Sequence, residues 1–127
     1  MARDLAQRLI DDLLWDVVEP LMPVPPIRPQ GGGRARTDDR AVFTAITFVL
    51  ISESPWRALP KVFGVKPATA HRRFLEWTSL DIWSRIHTAT LQRFGPGNES
   101  AWTAALAAKA SQRTMEHQPV LREVGAG

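Results

Sequence analysis

The sequence predicts an all-α fold, a small helical bundle that contains a helix-turn-helix, with a flexible proline- and glycine-rich connector and a C-terminal tail. Apolar residues recur at helical spacing through most of the first 94 residues. Prolines and glycines cluster between those segments, and no stretch alternates polar and apolar residues as a half-buried strand would. We therefore expect one helical domain over residues 1–94 and a loosely attached tail over residues 95–127.

The first helix is predicted from about Leu5 to Leu21, because its apolar residues recur at helical spacing and its aspartates can face water. Its expected buried residues are Leu9, Leu13, Leu21 and either Trp15 or Val17. Four prolines between residues 23 and 29 then prevent a helix. The glycines at 31–33 and the arginines Arg34 and Arg36 complete a flexible, basic connector.

The second helix is predicted from about Asp38 to Ser52, since acidic residues favour a helix N-terminus. Its residues are apolar on nearly every side, so we expect it to be the central helix of the core. A later helix is predicted from about Leu80 to Phe94. Its expected buried residues are Ile82, Trp83, Ile86 and Leu91.

The predicted helix-turn-helix lies at about residues 55–77. Pro60 can begin a short helix, because its missing N–H would be unpaired in a first turn, and Gly64 can end that helix in the left-handed conformation. Pro67 then begins a second helix without further interruption. Ser54 is expected to cap the helical segment that contains Trp56.

The second of these helices has two distinct faces. Ala70, Phe74 and Trp77 recur at i, i+4 and i+7 and form one apolar stripe. We expect both aromatic residues to be buried together with Trp56 and Phe63. Thr69 and Arg72 lie on the opposite face, where a DNA recognition helix contacts base edges. The residues expected near the phosphate backbone are Arg73, His71 and Lys66.

The charge distribution agrees with double-stranded DNA as the partner. Residues 28–77 contain nine basic and four acidic residues, whereas residues 1–27 contain two basic and five acidic residues. Positive charge is thus concentrated where phosphates would be neutralised. The alternative is a basic helix that is only solvated, in a helical protein-interaction module without a DNA role.

Composition excludes several other classes of protein. The chain has no cysteine, which excludes disulfides, thiolate zinc sites and cysteine catalysis. Acidic residues interrupt the first apolar stretch, so we expect no signal peptide. The longest apolar run, residues 45–51, is too short to span a bilayer. We expect a cytoplasmic protein without a membrane partner.

Several motifs together resemble the N-terminal DNA-binding domain of bacterial insertion-sequence transposases of the DDE type. They are PWRALPKVFG at 55–64, TAHRRFLEW at 69–77, LWDVVEPLMP at 14–23, GGGRARTDDR at 31–40 and IWSRIH at 82–87. The resemblance implies a role in transposition and DNA recombination, with terminal inverted repeats as the DNA. It also implies a homo-oligomer or the full-length transposase as a protein partner, and Arg34 and Arg36 as an arm for the minor groove.

The tail resembles the beginning of the family's ribonuclease-H-like catalytic domain, and the resemblance implies a remnant of that domain. In the stretch WTAALAAKASQR at 102–113, Ala108 occupies the place of the catalytic aspartate, and a frame change in the coding sequence would explain the match equally well. The alanines at 101–110 favour a helix by propensity. We expect a truncated transposase-like chain without catalytic residues, metal or cofactor, although a complete family member would need Mg²⁺.

Two further interpretations remain open from the sequence. A working nuclease would need carboxylates that converge on two metal ions, but only Glu99, Glu116 and Glu123 follow residue 95. The earlier acids are better explained as solvated or helix-start charges. A chain that binds transposon ends without cutting them could instead be a regulatory inhibitor of the full-length transposase.

Overall fold

The structure is a computed structural model that describes residues 10–24 and 38–116. Within these residues the chain forms only helices and turns, which confirms the all-α prediction. The five α-helices are α1 (Asp12–Val18), α2 (Asp39–Ser52), α3 (Pro67–Ser79), α4 (Ile82–Phe94) and α5 (Asn98–Glu116). In the part of the chain described, no helix is both long and apolar enough to cross a membrane.

Helix α1 begins at Asp12, and a 3-10 turn over Glu19–Leu21 follows it. The carboxylate of Asp11 caps the helix by accepting a hydrogen bond of 2.8 Å from the backbone N–H of Leu14. The predicted start at Leu5 and the predicted burial of Leu9 concern residues outside the described part. The prediction that Leu13 is buried is wrong. Of the predicted alternatives Trp15 and Val17, both are buried, together with Leu14 and Val18, and Leu21 is partly buried.

Helix α2 is the central helix of the core, as its composition predicts. Asp38 caps it by accepting from the backbone N–H of Ala41, and eight of its 14 residues are buried. Phe43 contacts three tryptophans, with ring centroids 5.8 Å from Trp15, 6.3 Å from Trp77 and 6.0 Å from Trp83. The helix therefore joins α1, α3 and α4 in one core.

The segment between α2 and α3 differs from the predicted short helix. Residues Trp56–Ala58 and Lys61–Phe63 each form a single 3-10 turn. Pro55 and Pro60 explain the difference, because each proline lacks an N–H and pushes the residue before it out of the helical region. Gly64 ends the second turn with a φ of +71°, as predicted. Ser54 does not cap the first turn, since its hydroxyl pairs with that of Ser52.

Helix α4 buries Ile82, Trp83 and Ile86 as predicted, but Leu91 is 38% exposed. Thr90 takes the predicted place of Leu91 in the core. The helical period explains this, because Thr90 lies four residues after Ile86 and so on the same face. Its buried hydroxyl is satisfied by the backbone carbonyl of Ile86 at 2.7 Å.

Residues 98–116 are not a loosely attached tail, and that prediction is wrong. They form α5, a helix of 19 residues that packs on both α4 and α2. Leu106 and Ala110 are each only 1% exposed and belong to the same core as α2. The hydroxyl of Thr103 lies 3.0 Å from Nδ1 of His87, which links α5 to α4. Ala108 lies on the exposed side of this helix rather than in a strand.

Leu106→Ala tests whether α5 belongs to the core. We expect the free energy of unfolding to fall by about 2–5 kcal/mol, because the side chain is buried and its loss leaves a cavity. Leu91→Ala is the matched control, and we expect a change within about 0.5 kcal/mol for that exposed residue. Equal effects of the two substitutions in urea unfolding would contradict the assigned packing of α5.

Candidate nucleic-acid interface

Helix α3 is held firmly by its inner face. Pro67 is its first residue, and Ala70, Phe74 and Trp77 are buried as the predicted apolar stripe. The rings of Phe74 and Trp77 contact Trp83 of α4 at centroid distances of 5.9 and 6.4 Å. The small side chain of Ala70 is completely buried. These contacts determine which side of α3 faces outward.

The outer face of α3 combines the cation Arg72 and the acid Glu76, both exposed, with small and apolar side chains. Arg72, Ala68 and Leu75 are exposed, and the spacing i, i+4 and i+7 places them on one side of the helix. Thr69 is half-buried beside them. The predicted outward direction of Arg72 is therefore confirmed, whereas sequence reasoning did not single out Leu75. The feature of the sequence that could have identified it is an apolar leucine on the side of the helix opposite the buried stripe.

Arg73 was predicted on the flank of α3, near the phosphate backbone of a bound duplex, but the structure places its side chain in the interior. Its side chain is only 8% exposed and forms an ion pair of 2.5 Å with Asp39 at the start of α2. The guanidinium also lies 5.8 Å from the ring centroid of Trp77. Arg73 thus ties α3 to α2. Its partner is 34 residues away in the sequence, so local spacing could not identify the pair.

His71 lies against an aromatic ring at the edge of α3. Its ring stacks on Trp56 at a centroid distance of 5.2 Å, and Trp56 also contacts Phe74 at 5.2 Å. Phe63 and Phe74 are buried as predicted, whereas Trp56 is only partly buried against the core. The Trp56–Ala58 turn consequently packs against α3 through these rings.

The residues before α3 and its first nine residues form a positively charged segment, residues 54–75, which contains no aspartate or glutamate and lies between Glu53 and Glu76. Four of its cationic side chains are exposed, and they are Arg57, Lys61, Lys66 and Arg72. Lys66 was predicted from its place just before α3, whereas Arg57 and Lys61 were missed although the same acid-free stretch contains them. Arg34 and Arg36 lie outside the described residues.

Helix α5 contacts the first residues of this segment on the side that faces the core. Arg113 donates to the backbone carbonyl of Ser54 at 2.8 Å, and its guanidinium lies 5.6 Å from the ring centroid of Trp56. Lys109 pairs with Glu53 at 3.0 Å. Because Trp56 in turn contacts α3, the position of α3 depends partly on residues more than 30 positions later in the chain.

The arrangement supplies positive charge and a rigid outward helix face. Among residues 10–24 and 38–116, no group of three or more histidine and acidic side chains lies close enough together to hold a metal ion. Two of the acids near α3 are in ion pairs, since Asp39 pairs with Arg73 and Glu53 with Lys109. The geometry is therefore suited to binding a polyanion.

Comparison with known proteins identifies the relatives of this chain. A family described as "Putative transposase of IS4/5 family" matches residues 10–87. The chain is 34% identical over 125 residues to the "Insertion element IS402 uncharacterized 16.2 kDa protein" of Burkholderia cepacia. That alignment covers 97% of this chain and 79% of the relative. No solved structure matches the chain.

Alanine substitutions at the two neighbouring arginines should affect stability very differently. Arg73→Ala should lower the free energy of unfolding by about 3 kcal/mol, since it removes a buried ion pair and leaves Asp39 uncompensated. Arg72→Ala makes the same chemical change on the exposed face and should stay within about 0.5 kcal/mol of wild type. Thermal and urea unfolding of both variants test this, and equal destabilisation would contradict the assigned rotation of α3.

Proposed function

Because this chain belongs to the IS4/5 transposase family, we propose that it binds double-stranded DNA at transposon ends, with α3 as the recognition helix in the major groove. The observation that supports the proposal most is the acid-free segment 54–75 with its four exposed cations. Binding to DNA releases counterions in proportion to the phosphates neutralised, so such a segment favours a duplex. We also propose that the chain acts in the cytoplasm.

In this proposal the exposed residues divide between bases and phosphates. Arg72 projects from the middle of the outer face of α3, and its planar guanidinium can donate two hydrogen bonds to O6 and N7 of guanine. Thr69, one turn earlier, contacts the edge of a base. Arg57, Lys61 and Lys66 neutralise phosphates on the strand that approaches the start of α3. Arg34 and Arg36 remain a proposed arm for the minor groove.

Two predicted contacts have other roles in this proposal. Arg73 supports the interface from inside through its ion pair with Asp39. His71 lies against Trp56, so it supports the angle between α3 and the preceding turn. Helix α2 packs directly on α3 and provides the rigid base that a recognition helix needs.

We also propose that the chain by itself neither cuts nor joins DNA. Two-metal phosphoryl transfer needs several carboxylates around a shared site. Among the described residues no three histidine or acidic side chains lie together for a metal ion, and Asp39 and Glu53 pair instead with Arg73 and Lys109. A chain that binds transposon ends without cutting them would compete with a full-length transposase. Terminal inverted repeats are accordingly the proposed DNA, and a second copy or the full-length transposase is the proposed protein partner.

A protein-interaction module without a DNA role is the competing proposal, and salt distinguishes the two. Binding through several phosphates weakens steeply as ionic strength rises, because counterions must be displaced. A mostly apolar protein contact would change far less over the same range of salt. The ionic-strength dependence of duplex binding is therefore the direct measurement.

Arg72→Ala should weaken binding to a specific inverted-repeat duplex by about 1–3 kcal/mol, with a smaller effect on random duplex. Lys66→Ala should weaken both duplexes alike and lower the slope of log affinity against log salt by about one. The matched control is Arg85→Ala, which removes an exposed arginine on α4 and should bind as wild type does. Fluorescence-anisotropy titrations at several salt concentrations measure these effects. Wild-type binding by both Arg72→Ala and Lys66→Ala would overturn the proposal.

Purified chain should leave a supercoiled plasmid with a transposon end intact in Mg²⁺ or Mn²⁺, because residues 10–24 and 38–116 bring no three acidic or histidine side chains together for a metal ion. Gel electrophoresis of the plasmid after incubation checks this. Nicking that copurifies with the chain and is lost in a single acidic-residue variant would contradict it. Co-expression with a full-length transposase should lower transposition, and an increase would count against the inhibitor role.

A further inference from the structure

We infer that Leu75 is a specificity-determining residue that contacts the C5-methyl group of a thymine next to the guanine bound by Arg72. This inference rests on the proposed function and extends it to the identity of a second base. Its structural basis is the outer face of α3, where Leu75 is 41% exposed beside Arg72. Methyl groups in the major groove are recognised by apolar contact, since they offer no hydrogen bond.

Helix α3 cannot rotate about its own axis to turn Leu75 toward the core. Phe74 and Trp77 are only 2% and 0% exposed, and Arg73 is paired with α2. These three residues fix the helix about its axis. Leu75 follows Arg73 by two positions and therefore lies well away from the inner face. Its side chain therefore stays exposed to solvent unless a binding partner covers it.

The spacing matches neighbouring bases. Residues three apart on a helix have Cβ atoms about 5–6 Å apart, which makes Arg72 and Leu75 direct neighbours. The axial distance between them is about 4.5 Å at a rise of about 1.5 Å per residue. Base pairs are about 3.4 Å apart along the duplex. A thymine contacted by Leu75 therefore lies one or two base pairs from the guanine contacted by Arg72.

Charge identifies DNA as the partner that covers Leu75. The exposed cations of segment 54–75 include Lys61, Lys66 and Arg72, and Glu76, which follows Leu75, is the one acid within α3. An apolar side chain in such surroundings would be buried by a duplex that the cations attract. Loss of the thymine methyl then exposes part of that surface again and weakens binding by about three- to fivefold, as expected for one methyl group.

The experiment pairs a protein substitution with a base substitution. Wild-type chain is used to select a binding duplex from a random library, and each thymine of that duplex is then replaced singly by deoxyuridine, which lacks only the methyl group. We expect one position to weaken binding by about three- to fivefold. Leu75→Ala should show a similar loss on the thymine duplex and no further loss on the deoxyuridine duplex.

Two variants make the result specific. Leu75→Met keeps an apolar contact and should retain sensitivity to deoxyuridine. Leu80→Ala is the matched control, because Leu80 is 44% exposed just beyond the end of α3 and should behave as wild type. Thermal unfolding should be the same for all variants, since neither leucine is buried.

The possible outcomes separate this inference from the proposed function. Sensitivity to deoxyuridine that persists in Leu75→Ala, or no sensitive thymine at all, overturns the inference while selective DNA binding still stands. Failure of the wild-type chain to enrich or bind any duplex overturns both. Loss of sensitivity in Leu75→Ala alone, with Leu80→Ala unchanged, supports the contact.

Discussion

The contacts of Phe43 are the interaction on which the rest of the structure depends. This ring lies at the middle of α2 and contacts Trp15 of α1, Trp77 of α3 and Trp83 of α4. Aromatic side chains bury large areas in tilted or stacked arrangements, so a single cluster can hold several short helices together. Helix α1 has only seven residues and would be marginal without such packing.

The same cluster determines what the outer face of α3 can present. With Phe74 and Trp77 buried, two adjacent arginines, about 100° apart around the helix, have different surroundings. Arg73 enters the boundary with α2 and pairs with Asp39, whereas Arg72 remains in solvent. Separating a buried ion pair leaves an uncompensated charge and costs free energy. The pair therefore resists any change in the orientation of the helix. The proposed DNA contacts follow from this rigidity.

Helix α5 contributes to the interface although it lies far from it in the sequence. Arg113 contacts both the backbone of residue 54 and the ring of Trp56, and Trp56 contacts α3. The alanine-rich sequence of α5 allows close packing on α4 and α2, with Ala110 completely within the core. The proposed DNA-binding unit thus includes residues 98–116 and does not end near residue 94.

The sequence by itself determined the fold class, the start of α2 at its aspartates, the left-handed Gly64, the start of α3 at Pro67 and the buried stripe of α3. Each depends on local chemistry, namely proline and glycine geometry, capping side chains and helical period. Membership of the transposase family also follows from motifs in the sequence. The DNA contacts of Arg72, Lys66 and Thr69 remain predictions.

Tertiary structure alone decided the features that depend on partners distant in the chain. Arg73 is buried because Asp39 lies opposite it, and α5 is part of the core because α2 and α4 leave an apolar surface for Leu106. Local patterns indicate which side chains are apolar or charged, but the choice of partner depends on the three-dimensional path of the chain.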